Sequence, residues 1–222
     1  MLSFDPADPF PLFPEGAHSY SDEQRHSDLV DRWIGLRTEE TERTILTSRT
    51  KIGAGNDEQH WIGLPVRTLL TPYSEIRRML SLLDLRAGST LVDLGAGYGR
   101  IGFVLARHFP DVLFLGYECV PERAEEARRC LSGTRNAVIA CVDLSDPDFI
   151  PTEADTYFIY DFGSRAAISK ILADLRTHAR KRPITVIGRG RASRDTIERS
   201  EPWLSAIVPP THFAHFSIYR SA

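Results

Sequence analysis

The chain has 222 residues, of which 42% are hydrophobic, enough to bury one sizeable core. A formal charge of −3 supplies no general attraction for a phosphate backbone and argues against nucleic acid as a partner. Three cysteines, Cys119, Cys130 and Cys141, are odd in number and lack paired metal spacing; they read as reduced thiols of a cytoplasmic protein, and no metal site is expected.

Residues 1–16 set Pro6, Pro9, Pro11 and Pro14 among Phe4, Phe10 and Phe13, a pattern that forbids a regular helix and predicts an extended arm laid over a domain. Asp5, Asp8 and these prolines also leave no secretory signal. No stretch approaches the roughly 18 consecutive apolar residues of a membrane span. From Ser19 to about Thr50 the charge density rises, and Leu29, Val30, Trp33, Ile34 and Leu36 form a partial helical stripe, so one or two helices are expected. Gly53, Gly55 and Asn56 make a flexible break, after which Trp61 to Pro65 begins a loop that leads into the core domain. Residues 1–70 are therefore read as an arm with a helical appendage, and 71–222 as the main domain. Thr71-Pro72 opens a helix that carries Ile76, Met79, Leu80 and Leu83 on one face and ends near Leu85.

From residue 90 short apolar strands alternate with helices, the mark of an α/β domain built on a parallel sheet of six or seven strands. Strands are predicted at 90–94, 112–118, 137–142, 156–160 and 183–187. Helices are predicted at 99–108, 121–131, 164–179 and 193–199. Trp203 to Val208 and His212 to Tyr219, separated by Pro209-Pro210, predict a terminal hairpin pair.

The chemistry concentrates where the first strand ends. Asp93 runs into Gly95, Gly97 and Gly99 at a helix start, which brings bare backbone close to a bulky ligand where side chains would obstruct it. A dinucleotide fingerprint would need glycine at position 100, which is Arg100, and no Gly-Lys-Ser/Thr triplet follows to make a phosphate-binding P-loop. A nicotinamide-dependent oxidoreductase is disfavoured accordingly. The acid at 93 suits a cationic ligand; S-adenosylmethionine carries an ammonium and a sulfonium. Glu118, 19 residues after Gly99 at the end of the second strand, is placed to accept both hydroxyls of a ribose. Asp143, at the next strand end, is placed to accept from an adenine amino group while Leu144 packs on the ring.

Leu91 to Arg100, Gly116-Tyr117-Glu118 and Cys141-Val142-Asp143 resemble the first three motifs of class I S-adenosylmethionine-dependent methyltransferases, over about residues 90–145. The resemblance implies a Rossmann-like, seven-stranded, mostly parallel sheet in the order 3-2-1-4-5-7-6 with the seventh strand antiparallel. Leu70-Thr71-Pro72-Tyr73 resembles a segment of the protein-lysine methyltransferases related to the telomeric-silencing histone enzymes, which implies that Thr71 and Tyr73 line the cofactor pocket. After the fourth strand, Tyr160-Asp161-Phe162-Gly163-Ser164 lacks both prolines of the motif by which amino-methylating relatives grip an acceptor nitrogen. Asp161 is then the polar group aimed at the methyl, either orienting an amine or capping the helix that begins near Ser164.

Gly188-Arg189-Gly190-Arg191 either holds an anionic acceptor or is a solvated loop, and the charged run from Arg123 to Arg129 reads as a solvated helix face. Tyr73, Tyr98 and Phe162 are candidate pocket walls. Trp33 and Trp61, outside the sheet, point to a substrate lid. The acceptor is a protein, with lysine ahead, or a small molecule; the rival reading is a non-catalytic module that keeps the cofactor fold as a scaffold.

Overall fold

The computed structural model describes residues 2–52 and 61–221. The expected break at Gly53, Gly55 and Asn56 lies outside them. A seven-stranded sheet organises the rest, with β1 (Thr90–Leu94), β2 (Leu113–Glu118), β3 (Ala137–Cys141), β4 (Thr156–Tyr160), β5 (Thr185–Arg189), β6 (Thr211–His212) and β7 (Phe216–Arg220) in the order β3-β2-β1-β4-β5-β7-β6. The first five strands run parallel and β7 pairs antiparallel with β5, as the resemblance implies.

Period-two alternation divides the sheet between two cores. Leu91, Phe114, Ile139, Phe158 and Ile187 face α4 (Tyr73–Ser81), α5 (Arg100–His108) and α6 (Pro121–Leu131), whereas Val92, Leu94, Tyr157, Ile159 and Val186 face α7 (Arg165–Ala179) and α8 (Arg191–Ser200). In β1 this alternation puts Asp93 among the buried residues of the first core.

Two further helices, α1 (Tyr20–Ile34) and α2 (Thr38–Ile52), cover that same side; the Gly35 cap, with φ of 79°, turns one into the other. The N-terminal arm is built into this core: Phe10 is buried 5.0 Å from the Tyr73 ring, and Val30 and Leu36 belong to the same apolar cluster. Buried charge pins α1 down. Asp31 pairs with Arg100, and Tyr73 Oη donates to the other Asp31 oxygen at 2.8 Å.

Three local expectations are corrected. β5 starts and ends two residues later than predicted, because Pro183 offers no amide to the ladder, and the shift draws Arg189 into the sheet. Residues 203–208 are not a strand: Pro202–Leu204 forms a 3-10 turn, and the hairpin is made instead by Thr211–His212 and Phe216–Arg220. A short helix, α3 (Val66–Leu69), occupies part of the segment expected to be loop. No helix among the described residues is long and apolar enough to cross a membrane.

Candidate active site

A cavity of about 310 Å³ opens at the carboxyl ends of β1 to β4, where the loops after the strands meet the segment 61–70. The loop after β1 is hung from β2: the amides of Gly95 and Ala96 both donate to the Tyr117 carbonyl, at 3.0 and 2.7 Å. Its three glycines all have positive φ, at 96°, 53° and 72°, for different reasons. A β-carbon on Gly95 would stand 2.9 Å from that of Phe162, and one on Gly99 would stand 2.9 Å from Leu131 Cδ1. Those two glycines permit close packing. Gly97 has only Leu70 Cδ2, at 3.9 Å, near its absent side chain, so it is the glycine that keeps cavity space free.

Glu118 lines the cavity at the end of β2, and its carboxylate holds the loop in place. One oxygen accepts from the Gly97 amide at 2.7 Å, the other from the Val120 amide at 2.9 Å. Asp143 and Leu144 line the cavity beyond β3; one Asp143 oxygen accepts from the Ser145 amide and hydroxyl at 2.8 and 2.7 Å, which sets the turn. Asp93 does not line it. The residue is buried beneath the loop with Oδ1 lacking a partner, and burial, reinforced by the Glu118 charge, holds its carboxyl well above the usual range. Cys119, also on the cavity, has its thiol pushed up to about 12, by burial first and then by Glu118 and Asp143.

Asp161 lines the cavity, but its carboxylate is committed elsewhere. Oδ1 accepts from the Ser193 amide and hydroxyl at 2.7 and 2.8 Å, and Oδ2 from the Ala192 amide at 3.3 Å. The capping alternative is the one seen, on a different helix: Asp161 caps α8 across the sheet, while Ser164 caps α7 itself through the Ala167 amide at 3.2 Å. The carboxylate thus stands at the cavity edge as the cap of α8. Gly190 leaves the room, since a β-carbon there would overlap the Asp161 carboxyl.

Thr71 and Tyr73 are also corrected, because neither lines the cavity. Tyr73 opens α4 with its ring turned into the core, 4.7 Å from the Arg100 guanidinium, and the Thr71 carbonyl accepts from Arg100 Nη1 at 2.9 Å. Together they steady the residue after Gly99 from below. Leu69 and Leu70, just upstream, reach the cavity instead. Arg189 is buried, pairs with Glu75 at 2.9 Å, donates to Tyr20 Oη at 2.7 Å and lies 4.3 Å from the Tyr160 ring. It backs a cavity wall and is not a solvated loop residue; Arg191 is the exposed one.

Sequence reasoning missed the contribution of α2. Glu42 accepts from Tyr98 Oη at 2.8 Å and from Arg123 Nε at 2.7 Å, so Arg123 is a buried cavity residue and not part of a solvated face. Tyr98 and Phe162, read as walls, do line the cavity. Trp61 joins them, and its indole Nε1 donates to the Asp161 carbonyl at 2.7 Å. Helical patterning flagged α2 but carries no record of which helix it meets.

No protein-family model matches this chain, and no curated protein matches it. Among solved structures, an RNA methyltransferase from Salinibacter ruber in complex with S-adenosyl-L-homocysteine is similar with a TM-score of 0.50 and 22% identity, over 68% of this chain and 91% of that one. TrmN from Thermus thermophilus is similar with a TM-score of 0.50 and 18% identity, over 68% of this chain and 48% of that protein. These likenesses define the fold, which is that of the class I methyltransferases.

Proposed function

We propose that the chain transfers a methyl group from S-adenosylmethionine to an acceptor. One observation carries the reading: the open Gly97 position, the acceptor-only carboxylate of Glu118 and the Asp143-Leu144 pair, contributed by three adjacent strand ends, face one cavity. Sheet order then orients the donor. Adenine falls at β3, ribose at β2 on Glu118, and the sulfonium toward β4, with the amino-acid end near the bare backbone of the loop. The unpartnered Asp93 oxygen supplies latent negative charge beneath that loop. The Salinibacter protein holds S-adenosyl-L-homocysteine in the same fold, which supports this seating.

Bound there, the donor supplies an electrophilic methyl, and displacement from a sulfonium needs alignment and a dry site more than acid-base help. The chain's own residues meet that need: Glu118 fixes the loop, Asp161 fixes α8 against the β4 end, and Tyr98, Tyr160 and Phe162 wall the cavity. The segment up to residue 70 acts as the lid, since Trp61, Leu64 and Thr68 to Leu70 close the side opposite the sheet. Three free cysteines fit a reducing, cytoplasmic setting. A lysine acceptor loses its support, because Thr71 and Tyr73 lie off the cavity and the Asp161 carboxylate is occupied.

Calorimetry with S-adenosyl-L-homocysteine, followed by transfer of labelled methyl from S-adenosylmethionine into a fractionated cell extract, tests the reading. Binding with incorporation is expected. Binding without incorporation into any fraction would favour the scaffold module, and absence of binding would refute the donor site.

A further inference from the structure

The acceptor class follows from how the cavity is roofed, and the inference rests on the methyltransferase reading. Among the described residues, Trp61 and Asp161 are the two non-glycine residues with positive φ, at 51° and 38°. They are bonded to each other across the cavity mouth through the indole N–H and the Asp161 carbonyl. A bulky residue is held in the left-handed region only where surrounding contacts over-determine it, and such strain gathers at ligand clamps. Here those contacts are visible. The Trp61 carbonyl accepts from Arg123 Nη2 at 3.5 Å, Tyr160 Oη donates to the Thr68 carbonyl at 3.0 Å, and the Arg67 carbonyl accepts from Gln24 Nε2 at 2.9 Å. The strap 61–70 is thus bolted to the β2 side, the β4 side and α1.

Most of what the strap and the β4 end bring to the cavity is aromatic or aliphatic, namely Trp61, Leu64, Leu69, Leu70, Tyr160 and Phe162, beside the polar Thr68, Asp161 and Ser164. The polar tips of the two rings and the Asp161 carboxylate are engaged. Tyr160 Oη goes to Thr68, Trp61 Nε1 to Asp161, and the Asp161 carboxylate takes three donors from the start of α8. An ammonium brought here would find its nearest carboxylate already satisfied, and burying it would be costly. Beyond β3, Asp146 and Asp148 are both exposed, negative charge that repels a polyanion. A flat neutral ring meets neither penalty and gains stacking on the walls.

We propose that the acceptor is a small, uncharged molecule with a planar aromatic ring, and that Trp61 is the residue that selects it. A neutral nucleophilic atom on the ring or beside it gives its lone pair to the methyl carbon. The S–C bond breaks with its electrons returning to sulfur, so the positive charge passes to the acceptor. Any acceptor proton then leaves to water.

The test uses the full chain saturated with S-adenosyl-L-homocysteine, with binding of three probes read by saturation-transfer NMR: indole, a lysine-containing peptide and a short single-stranded oligoribonucleotide. Indole is expected to bind, Trp61→Ala to weaken it about tenfold, and Trp61→Phe, which keeps the ring and loses the N–H, to stay within about threefold of the native chain. Should Trp61→Ala melt early, Leu64→Asp keeps the indole but charges the recess beside it, and is expected to weaken indole by about tenfold as well. Native indole affinity in both Trp61→Ala and Leu64→Asp would overturn the proposal, as would preference for the peptide or the oligoribonucleotide. Failure of the native chain to take up S-adenosyl-L-homocysteine is a separate result, which removes the methyltransferase reading and this inference together.

Discussion

Replacing Glu118 with glutamine tests the donor site most directly, because the change preserves shape and removes one acceptor. In the native chain each carboxylate oxygen takes one backbone amide, from Gly97 at 2.7 Å and Val120 at 2.9 Å. A carboxamide has a single oxygen, so either orientation turns its NH₂ toward one of those amides, and a donor faces a donor. Losing one charge-assisted bond costs about 1.5–3 kcal/mol, so a stability loss of about 2 kcal/mol is expected. For a chain of this size that lowers Tm by about 4–8 °C. The ribose then meets a rim that offers one acceptor and one donor, and forfeits a similar bond. At 1.4 kcal/mol per decade, a loss of 2–3 kcal/mol weakens binding by about 30- to 140-fold. Calorimetric titration with S-adenosyl-L-homocysteine, well below both melting points, reads the second effect; a melt reads the first. Asp155→Asn is the control: Asp155 accepts from the Thr90 amide at 2.7 Å at the far end of β1, so its loss lowers stability without touching the cavity. If Glu118→Gln binds within about threefold of the native chain while melting early, Glu118 only holds the loop and the ribose assignment fails.

The glycines separate in the same assay. Gly97→Val carries the strain of positive φ but meets no clash, so it is expected to abolish binding with a smaller drop in melting temperature than Gly95→Val, which carries the same strain and drives its β-carbon into Phe162. Equal behaviour of the two would refute the division of roles. Asp31→Ala leaves Arg100 buried without its Asp31 partner and is expected to cost about 3–5 kcal/mol in urea unfolding; a loss below about 1 kcal/mol would show that this ion pair is not what holds α1. Asp93 has a folded pKa above its unfolded value, so the folded state binds the extra proton, and free-chain stability falls as pH rises above about 3.8 toward that raised pKa. Asp93→Asn is expected to lack that fall and to melt higher near neutral pH; a melting profile parallel to the native one across that window contradicts the buried-acid assignment.

What was legible in the sequence is what local pattern controls. The inner parallel strands β1, β4 and β5 are short apolar runs because both their faces are covered, and an acid breaks the pattern at the end of β2, Glu118, and just after β3, Asp143. The glycine loop was readable for the same reason: three glycines at alternate positions serve backbone conformations that other residues avoid. Partner choice across distance was not readable. Asp161 and Ser164 look like rival caps of one helix when only neighbours in the chain are considered. Residues about thirty positions away decide otherwise, because α8 begins where the β4 and β5 ends lie side by side. Arg189 was misread through a two-residue error in β5, enough to turn a buried ion pair into an apparent loop.

The N-terminal segment shows why an appendage in sequence need not be one in energy. Asp31 of α1 neutralises Arg100, the residue after the glycine loop; Glu42 of α2 ties Tyr98, inside that loop, to Arg123 beside the cavity; Trp61 crosses to Asp161 after β4. Each tie ends within the cavity wall or one residue from the loop, and two of them pair a buried arginine with a carboxylate, Arg100 with Asp31 and Arg123 with Glu42. Removing the segment would therefore strand Arg100 and withdraw the Glu42 carboxylate from Arg123, besides exposing the apolar surface under Phe10 and Val30. The loop, held from below by Tyr117 and Glu118, is also tied to α1 and α2 through Arg100 and Tyr98. Ligand bound in the cavity must in turn tighten that docking, since anything that binds only the docked form stabilises it by mass action.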